Sequence, residues 1–209
     1  MKLDTLLVEG TENGDATIQD DLVRLRANGK TDWFFAPSGK SRMANITRLV
    51  DEVDDKHFAL SAKVSVELAS GFDGGALFIE CDGDNWAKIA FEISAARKPT
   101  IGSVVTRTTS DDSDGPAYPG DHVWLRAYSD GEAIALHFSA DGKYWNFLRW
   151  FNLPGIARRP IRIGMGVQSP TGEGTTAVFS DIKLSVGKID DLVQPVRDDD
   201  RRGRDLLPA

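Results

Sequence analysis

The sequence has one cysteine, three histidines and no long apolar run. A lone cysteine excludes an intrachain disulfide, and Cys81 shares a strand face with Leu77 and Ile79, as a small residue inside a sheet does. No segment approaches the roughly 18 apolar residues of a membrane-spanning helix, and the first residues, MKLDTLLVEG, do not resemble a secretion signal. We therefore expect a cytoplasmic protein that does not associate with membranes.

Basic clusters and cofactor motifs are also missing. The chain has 32 acidic and 25 basic residues, and its net charge of -7 argues against nucleic acid as a partner. The stretch DDSDG at 111–115 lacks the downstream glutamate of a calcium loop and is interpreted as an acidic surface turn. GMGVQS lacks the third glycine of a dinucleotide fingerprint. We expect no metal and no cofactor.

Amphipathic helices are not evident before residue 187, and the dominant hydrophobic period is two. Turn sequences such as DGDN and SDGE separate the alternating segments, which is typical of short antiparallel strands. The sequence predicts an all-β domain of two packed antiparallel sheets over residues 1–186. Residues 187–209 form a charged tail, either a mobile extension or a strap. The strap would dock through Leu192, Val193, Leu206 and Leu207.

Four blocks in order suggest a family: FDGGALFIECDGDNWAKIAFE, SVVTRTTSDDSDG, HVWLRAYSDGEAIALHFSADGKYWNFLRW and IRIGMGVQSPTGEGTTAVFSDIKL. Together with TDWFFAPSG near the start, they resemble the regulation-of-enolase-like family over roughly residues 5–186. The resemblance implies a concanavalin A-like jelly-roll β-sandwich, the fold of the lectin/glucanase superfamily. It also implies that the hollow face of one sheet is where wider relatives hold sugars. The family itself has no generally established activity.

The outward faces of several strands suggest a binding site. In DNWAKIAFE, Trp86, Lys88 and Glu92 alternate with an apolar face. The neighbouring segments show the same division between a core face and a mixed face. The predicted pocket has a floor of Ala90, Ala133, Ala135, Gly164 and Gly166 and a rim of Trp86, Lys88, Glu92, Arg126, His137 and Gln168.

The chemistry of this set favours a small carbohydrate or a related polar metabolite. Charged and amide side chains can hydrogen-bond to hydroxyl groups, and Trp86 offers an apolar plate for a sugar ring. Trp33 would add a second plate from a neighbouring segment. The alternative interpretation is an ordinary solvated or loop-covered sheet face, on which these side chains only pack or pair with one another.

Three functional hypotheses remain open. The preferred one is a non-catalytic domain that binds its ligand in the pocket. The second is a carbohydrate-active enzyme in which Glu92 is the acid or base, with His137, Asp111 or Glu80 as its partner. The sequence places no second carboxylate beside Glu92, which favours binding. The third is a protein-interaction module. The sequence does not indicate the oligomeric state.

Overall fold

Short strands joined by tight turns form almost all of the structure, a computed structural model that describes residues 2–188 and 196–197. Two 3₁₀ turns, Leu3–Thr5 and Thr11–Asn13, interrupt the first segments. The strands are β1 (Leu7–Glu9), β2 (Gly14–Gln19), β3 (Leu22–Asn28), β4 (Trp33–Phe35), β5 (Arg42–Ala44), β6 (Thr47–Val53), β7 (Phe58–Val66), β8 (Gly74–Asp82), β9 (Asn85–Ile93), β10 (Pro99–Arg107), β11 (Thr109–Ala117), β12 (His122–Ser129), β13 (Ile134–Ser139), β14 (Tyr144–Phe151), β15 (Ile161–Gln168), β16 (Gly174–Val186) and β17 (Val196–Arg197).

These strands form two large antiparallel sheets. Sheet A has seven strands in the order β1-β6-β15-β8-β9-β10-β11, and sheet B has eight in the order β17-β14-β13-β12-β7-β16-β3-β2. The hairpin β4–β5 is a separate two-stranded sheet. The predicted fold class, a concanavalin A-like jelly-roll β-sandwich, is confirmed. No helix in the described part of the chain is long and apolar enough to cross a membrane.

The core lies between the inner faces of the two sheets. Period-two alternation in the sequence assigns seven side chains of β9, β12, β13 and β15 to this core. Six of them are completely or almost completely shielded from solvent: Ile89, Phe91, Leu125, Leu136, Ile163 and Met165. Phe138 is only half-buried at the margin of this core. It follows a register shift between Leu136 and His137 in the pairing of β13 with β14.

The outer face of sheet A is covered rather than solvated. Hairpin β4–β5 lies over it, and the Trp33 ring stacks on Trp86 with centroids 4.2 Å apart. The Phe35 ring contacts Trp86 edge-on, and its backbone N–H donates to Ser110 Oγ on β11 at 2.9 Å. Central strands β8, β9 and β10 are consequently buried on both faces. The alternative interpretation from the sequence, a sheet face covered by a loop, therefore applies to this part of sheet A.

Close packing explains the glycines that were predicted to form a pocket floor. A Cβ added to Gly164 would lie 1.9 Å from Leu49 O and 2.8 Å from the Phe78 ring. One added to Gly166 would lie 2.9 Å from the Ile46 side chain. These positions admit neighbouring protein atoms, so the small residues on β15 serve packing and not a ligand.

Four charged side chains link the remaining strands of the same face. Arg48 pairs with Glu9 at 2.8 Å and with Glu80 at 3.2 Å. Arg162 pairs with the same two carboxylates at 2.5 and 2.7 Å. The Arg48 guanidinium also lies 4.7 Å from the centroid of the Trp33 ring, which connects this network to the hairpin.

The predicted tail begins at residue 187, and the described residues continue to Lys188. Beyond it, the backbone of Val196–Arg197 pairs as β17 with Tyr144 and Trp145 on β14. The side chains predicted to dock, Leu192, Val193, Leu206 and Leu207, lie outside the described residues. The division into a domain at 1–186 and a tail at 187–209 remains a prediction.

We expect Trp33→Ala to lower the free energy of unfolding by about 3–5 kcal/mol, because it leaves a cavity beneath the hairpin. Trp150→Ala is the matched control, since the Trp150 side chain is 57% exposed. The control should change stability by less than about 0.5 kcal/mol. Urea unfolding measures both variants, and equal losses would show that the hairpin contributes no special stability.

Candidate functional site

A cavity of about 190 Å³ remains between the hairpin and the outer face of sheet A. Its lining residues are Asp32, Phe34, Phe72, Lys88, Glu92, Val104, Asp112 and Gln168. We call it the Glu92 cavity. Pockets for drug-sized ligands usually measure roughly 300–1,000 Å³, so this one suits a smaller molecule.

Strand register brings the lining side chains together. Lys88, Val104 and Asp112 are directly opposite one another on β9, β10 and β11. Side chains opposite each other on neighbouring strands share one face of a sheet. A second row joins Gln168 to Gly74 and Gly74 to Glu92. The lining therefore comes from two rows of the same sheet, closed by Asp32 and Phe34 at the hairpin and by Phe72 in the loop before β8.

Two glycines make room for the Glu92 side chain. A Cβ on Gly74 would lie 2.8 Å from Glu92 Cβ, and one on Gly102 would lie 2.4 Å from Glu92 Oε1. Both distances are shorter than real Cβ contacts allow. The neighbouring strands β8 and β10 thus hold the carboxylate in a groove from which any larger residue would displace it.

Lys88 connects the hairpin to the sheet. Its side chain is buried, and Nζ donates to the Trp33 carbonyl at 2.8 Å and to Gln168 Oε1 at 2.6 Å. Gln168 Nε2 in turn donates to the Phe72 carbonyl at 3.3 Å and to Glu92 Oε2 at 3.5 Å. One hydrogen-bonded chain therefore fixes the lysine, the amide and the carboxylate relative to one another.

Burial controls the electrostatics of the carboxyl groups. Glu92 is 6% exposed, and its loss of solvation raises the pKa to about 7. Lys88 opposes that shift, whereas Asp112, Asp114 and Asp32 add to it. Burial also raises the pKa of Asp32 and of Asp112, again with Lys88 acting in the opposite direction. Burial and the Lys88 charge thus act in opposite directions on the pKa values of all three acids.

Phe72 lines the cavity from the loop before β8. The residue is 36% exposed and has a φ of 65°, a left-handed conformation that is rare for a bulky side chain. The Phe72 N–H donates to the Ile93 carbonyl at 2.7 Å. Next to it, the buried Asp73 carboxylate accepts from Ser70 N and Ser169 Oγ, both at 2.7 Å. The hydrogen bonds of the surrounding loop therefore hold Phe72 in a backbone conformation that is energetically unfavourable for a non-glycine residue.

Three of the predicted rim residues meet in this cavity: Lys88, Glu92 and Gln168. The two tryptophans do not serve as ligand plates. Trp86 is completely buried, Trp33 is 3% exposed, and each ring is stacked against the other. The predicted stacking role is corrected, because the sequence did not show that the two rings would cover each other.

Arg126 and His137 lie on the other sheet, so the predicted convergence of four side chains on one cavity is wrong. They pair with each other across β12 and β13 on the outer face of sheet B. The Arg126 guanidinium lies 4.3 Å from the centroid of the Trp145 ring, and His137 contacts Phe147. Ala135 belongs to the same face, beside Tyr128. Alternation assigns a residue to one face of its strand but does not identify the sheet to which that strand belongs.

Five of the lining residues were not predicted from the sequence to belong to the site: Asp32, Phe34, Phe72, Val104 and Asp112. DDSDG, interpreted as a surface turn, lies within β11. There, Asp112 lines the cavity, whereas the adjacent Asp111 pairs with Arg149 at 2.8 Å. Strand parity could have revealed Asp112. The described residues contain no group of three or more His, Cys, Asp or Glu side chains arranged to hold a metal ion.

A larger cavity, of about 550 Å³, lies near one end of sheet B. Lys56, Glu132 and Lys188 line it, and all three are solvent-exposed. Exposed charges interact weakly with a ligand because water screens them. In the Glu92 cavity, Lys88, Glu92 and Gln168 are buried, whereas Asp112 is exposed. The three buried polar groups make this cavity the candidate site.

The fold and the site define a class: β-sandwich proteins of two antiparallel sheets with a small polar cavity on the outer face of one sheet. The chain belongs to the family described as "Protein of unknown function (DUF1349)", which matches residues 11–186. No curated protein matches the sequence. The resemblance to the regulation-of-enolase-like family remains a prediction.

Three solved structures show how widely the fold occurs. A functionally unknown protein from Saccharomyces cerevisiae has a TM-score of 0.82 at 21% identity, over 90% of this chain and 100% of the other. A xylan beta-1,4-xylosidase from Bacillus halodurans has a TM-score of 0.58 at 12% identity, over 83% of this chain but 38% of the enzyme. Lectin I-B4 from Griffonia simplicifolia has a TM-score of 0.53 at 13% identity, over 88% and 94%.

We expect the free energy of unfolding of Glu92→Gln, relative to that of the wild type, to increase as pH rises. The raised pKa means that the fold prefers protonated Glu92, so its contribution is complete below pH about 4.5 and is lost as pH rises through about 7. The variant should match the wild type near pH 4 and exceed its stability by up to about 3 kcal/mol at pH 8. Urea unfolding from pH 4 to 8 gives the comparison.

Glu52→Gln is the control for that series, because Glu52 is exposed. Its stability relative to the wild type should not depend on pH in this way. A difference between Glu92→Gln and the wild type that stays constant from pH 4 to 8 would contradict the assigned environment of Glu92.

Proposed function

We propose that the Glu92 cavity binds a small carbohydrate or a related polar metabolite, and that the domain does so without catalysis. One observation carries the proposal: a small cavity brings buried charged and amide side chains together beside exposed aromatic surface. Pockets of this kind use an apolar lining for contact and a few fixed polar groups for orientation.

The lining offers partners both for the hydroxyl groups and for the C–H groups of a sugar ring. Carboxylates accept hydrogen bonds from hydroxyl groups, and Glu92 and Asp112 present them from neighbouring parts of the sheet. Phe72 and Phe34 offer apolar surface for the C–H groups of the ring. Phe72 thus takes the stacking role that the sequence had suggested for Trp86.

The structural comparisons support a carbohydrate-related role. One similar structure is named as a xylosidase and another as a lectin, and both share the two-sheet architecture. The xylosidase match involves 38% of that enzyme's chain, so the activity of the whole enzyme does not transfer to this domain. What transfers to the proposal is the association of this sandwich with sugar-handling proteins.

A carbohydrate-active enzyme is the second candidate. Its specific support is the Glu92 pKa of about 7, which suits a group that exchanges protons near neutrality. Asp32 and Asp112 share the cavity, which corrects the earlier conclusion that no second carboxylate accompanies Glu92. They replace the partners predicted from the sequence, since His137 is on sheet B, Glu80 pairs with two arginines, and Asp111 pairs with Arg149.

Cavity size favours binding over hydrolysis. A glycosidic bond joins two units, and a glycosidase must hold groups on both sides of it. A volume of about 190 Å³ is well below that of pockets for drug-sized ligands and suits one ring. Non-catalytic binding is therefore the function that we propose first.

Calorimetric titration with a panel of monosaccharides tests the proposal. We expect measurable weak binding that Glu92→Gln weakens by roughly 0.5–1.5 kcal/mol, the net value of one neutral hydrogen bond. Phe72→Ala should weaken binding more, because it removes stacking area as well as shape. Trp150→Ala removes an exposed aromatic residue outside the cavity and should leave the affinity unchanged.

The same proteins should be assayed for hydrolysis of chromogenic glycosides. A binding domain gives no turnover with any of them. Turnover that falls by roughly a hundredfold or more in Glu92→Gln, while binding stays nearly intact, would reassign the domain as an enzyme. Failure of every monosaccharide to bind the wild type would overturn the carbohydrate proposal.

A further inference from the structure

The Glu92 cavity has an excess of negative groups. Three carboxyl groups line it from separate parts of the chain, namely Asp32 before β4, Glu92 on β9 and Asp112 on β11. Lys88 is the one basic side chain among the lining residues. When the acids are ionised, the cavity therefore has two more negative charges than positive ones.

Lys88 is already engaged by the protein. Two of its three ammonium protons are donated to the Trp33 carbonyl and to Gln168 Oε1. Among the described residues, it forms no ion pair with any of the three carboxyl groups. The lysine thus supports the hairpin, and its single charge offsets only part of the negative charge of the three carboxyl groups.

The aromatic residues suit the same charge. Phe34 is half-buried and Phe72 is partly exposed, and both residues line the cavity. The face of an aromatic ring attracts a cation within about 6 Å, and the attraction grows as the site loses water. Carboxylates combined with aromatic surface form an environment that stabilises an ammonium group better than a neutral hydroxyl or an anion.

One carboxylate oxygen is well placed to meet such a group. Glu92 is more than nine-tenths buried and lines the cavity, and its printed hydrogen bond, from Gln168, is a long one of 3.5 Å to Oε2. The described residues offer Oε1 no hydrogen-bond donor. A ligand ammonium could supply the donor that this buried carboxylate lacks.

We propose that the natural ligand of the Glu92 cavity carries a protonated amine, as an amino sugar does, and that its ammonium group binds between Glu92, Asp112 and the ring of Phe72. This inference rests on the proposed function, because it names the chemical class of the ligand for the same site. It also excludes acidic sugars, whose carboxylate would meet three groups of like charge.

A proton exchange accompanies this binding. Glu92 faces Lys88 on its own strand, Asp112 and Asp114 on β11, and Asp32 before the hairpin, while β8, β10 and β15 present Gly74, Gly102 and Gln168. A bound ammonium favours ionised Glu92, whose pKa is about 7 in the free protein. Affinity for an amine that stays protonated throughout this range, such as propylamine, should therefore rise several-fold between pH 6 and pH 8.

Three sugars that differ at one carbon make the test sharp: glucose, 6-amino-6-deoxyglucose and glucuronic acid. Glucosamine places the amine at a second position, and propylamine supplies an amine without a sugar. Calorimetric titration at pH 7 should show at least one amino sugar binding about tenfold or more tightly than glucose. Glucuronic acid should bind more weakly than glucose.

Two neighbouring aspartates provide matched variants. Asp112→Asn should reduce the preference for the amino sugar over glucose by several-fold, because it removes one lining carboxylate. Asp111→Asn removes the same charge one residue away, where the side chain pairs with Arg149, and should preserve the preference. Thermal unfolding of both variants checks that each of them is folded under the conditions of the binding measurement.

The outcomes separate the two proposals. Equal binding of glucose and both amino sugars, or a preference for glucuronic acid, would overturn the amine inference and leave the carbohydrate proposal in place. Binding of propylamine without binding of any sugar would support the amine site and overturn the carbohydrate proposal. Absence of binding by every probe would overturn both, and equal effects of Asp112→Asn and Asp111→Asn would show that the preference does not arise in the cavity.

Discussion

Coverage of sheet A by hairpin β4–β5 is the constraint on which the site depends. The stacked Trp33 and Trp86 rings fill the space beneath the hairpin and remove the strands below it from water. Lys88 and Glu92 would be ordinary surface residues on an open face of the same sheet. Under the hairpin they are buried, so each needs a partner or a change of protonation state. The raised pKa values in the cavity thus follow from the way in which the aromatic residues of the hairpin pack on sheet A.

Lys88 shows how structural and functional roles are divided within the site. Its bond to the Trp33 carbonyl fixes the hairpin, and its bond to Gln168 positions the amide that contacts Glu92. The same ammonium group lowers the cost of placing carboxylates nearby, although burial still dominates their pKa values. A cavity built in this way keeps its shape without a ligand and retains negative groups that a positively charged ligand can neutralise.

Sequence alternation predicted much of the fold but only part of the site. Parity identified the core positions of β9, β12, β13 and β15, because the two faces of a strand are fixed by backbone geometry. It could not place Arg126 and His137, since strand order depends on long-range pairing that period two does not encode. It also could not find Asp32 or Phe72, which lie in irregular segments brought to the cavity by the hairpin and by the loop around Asp73.

We expect the ligand to bind in the space under the hairpin and not on the outer face of sheet B. A crystal structure of the protein soaked with 6-amino-6-deoxyglucose distinguishes these two locations. Electron density for one sugar ring should lie against Phe72, with the ammonium group within hydrogen-bonding distance of Glu92 or Asp112. Density against Trp145 and Arg126 on sheet B, with only water in the Glu92 cavity, would show that the ligand site is not under the hairpin.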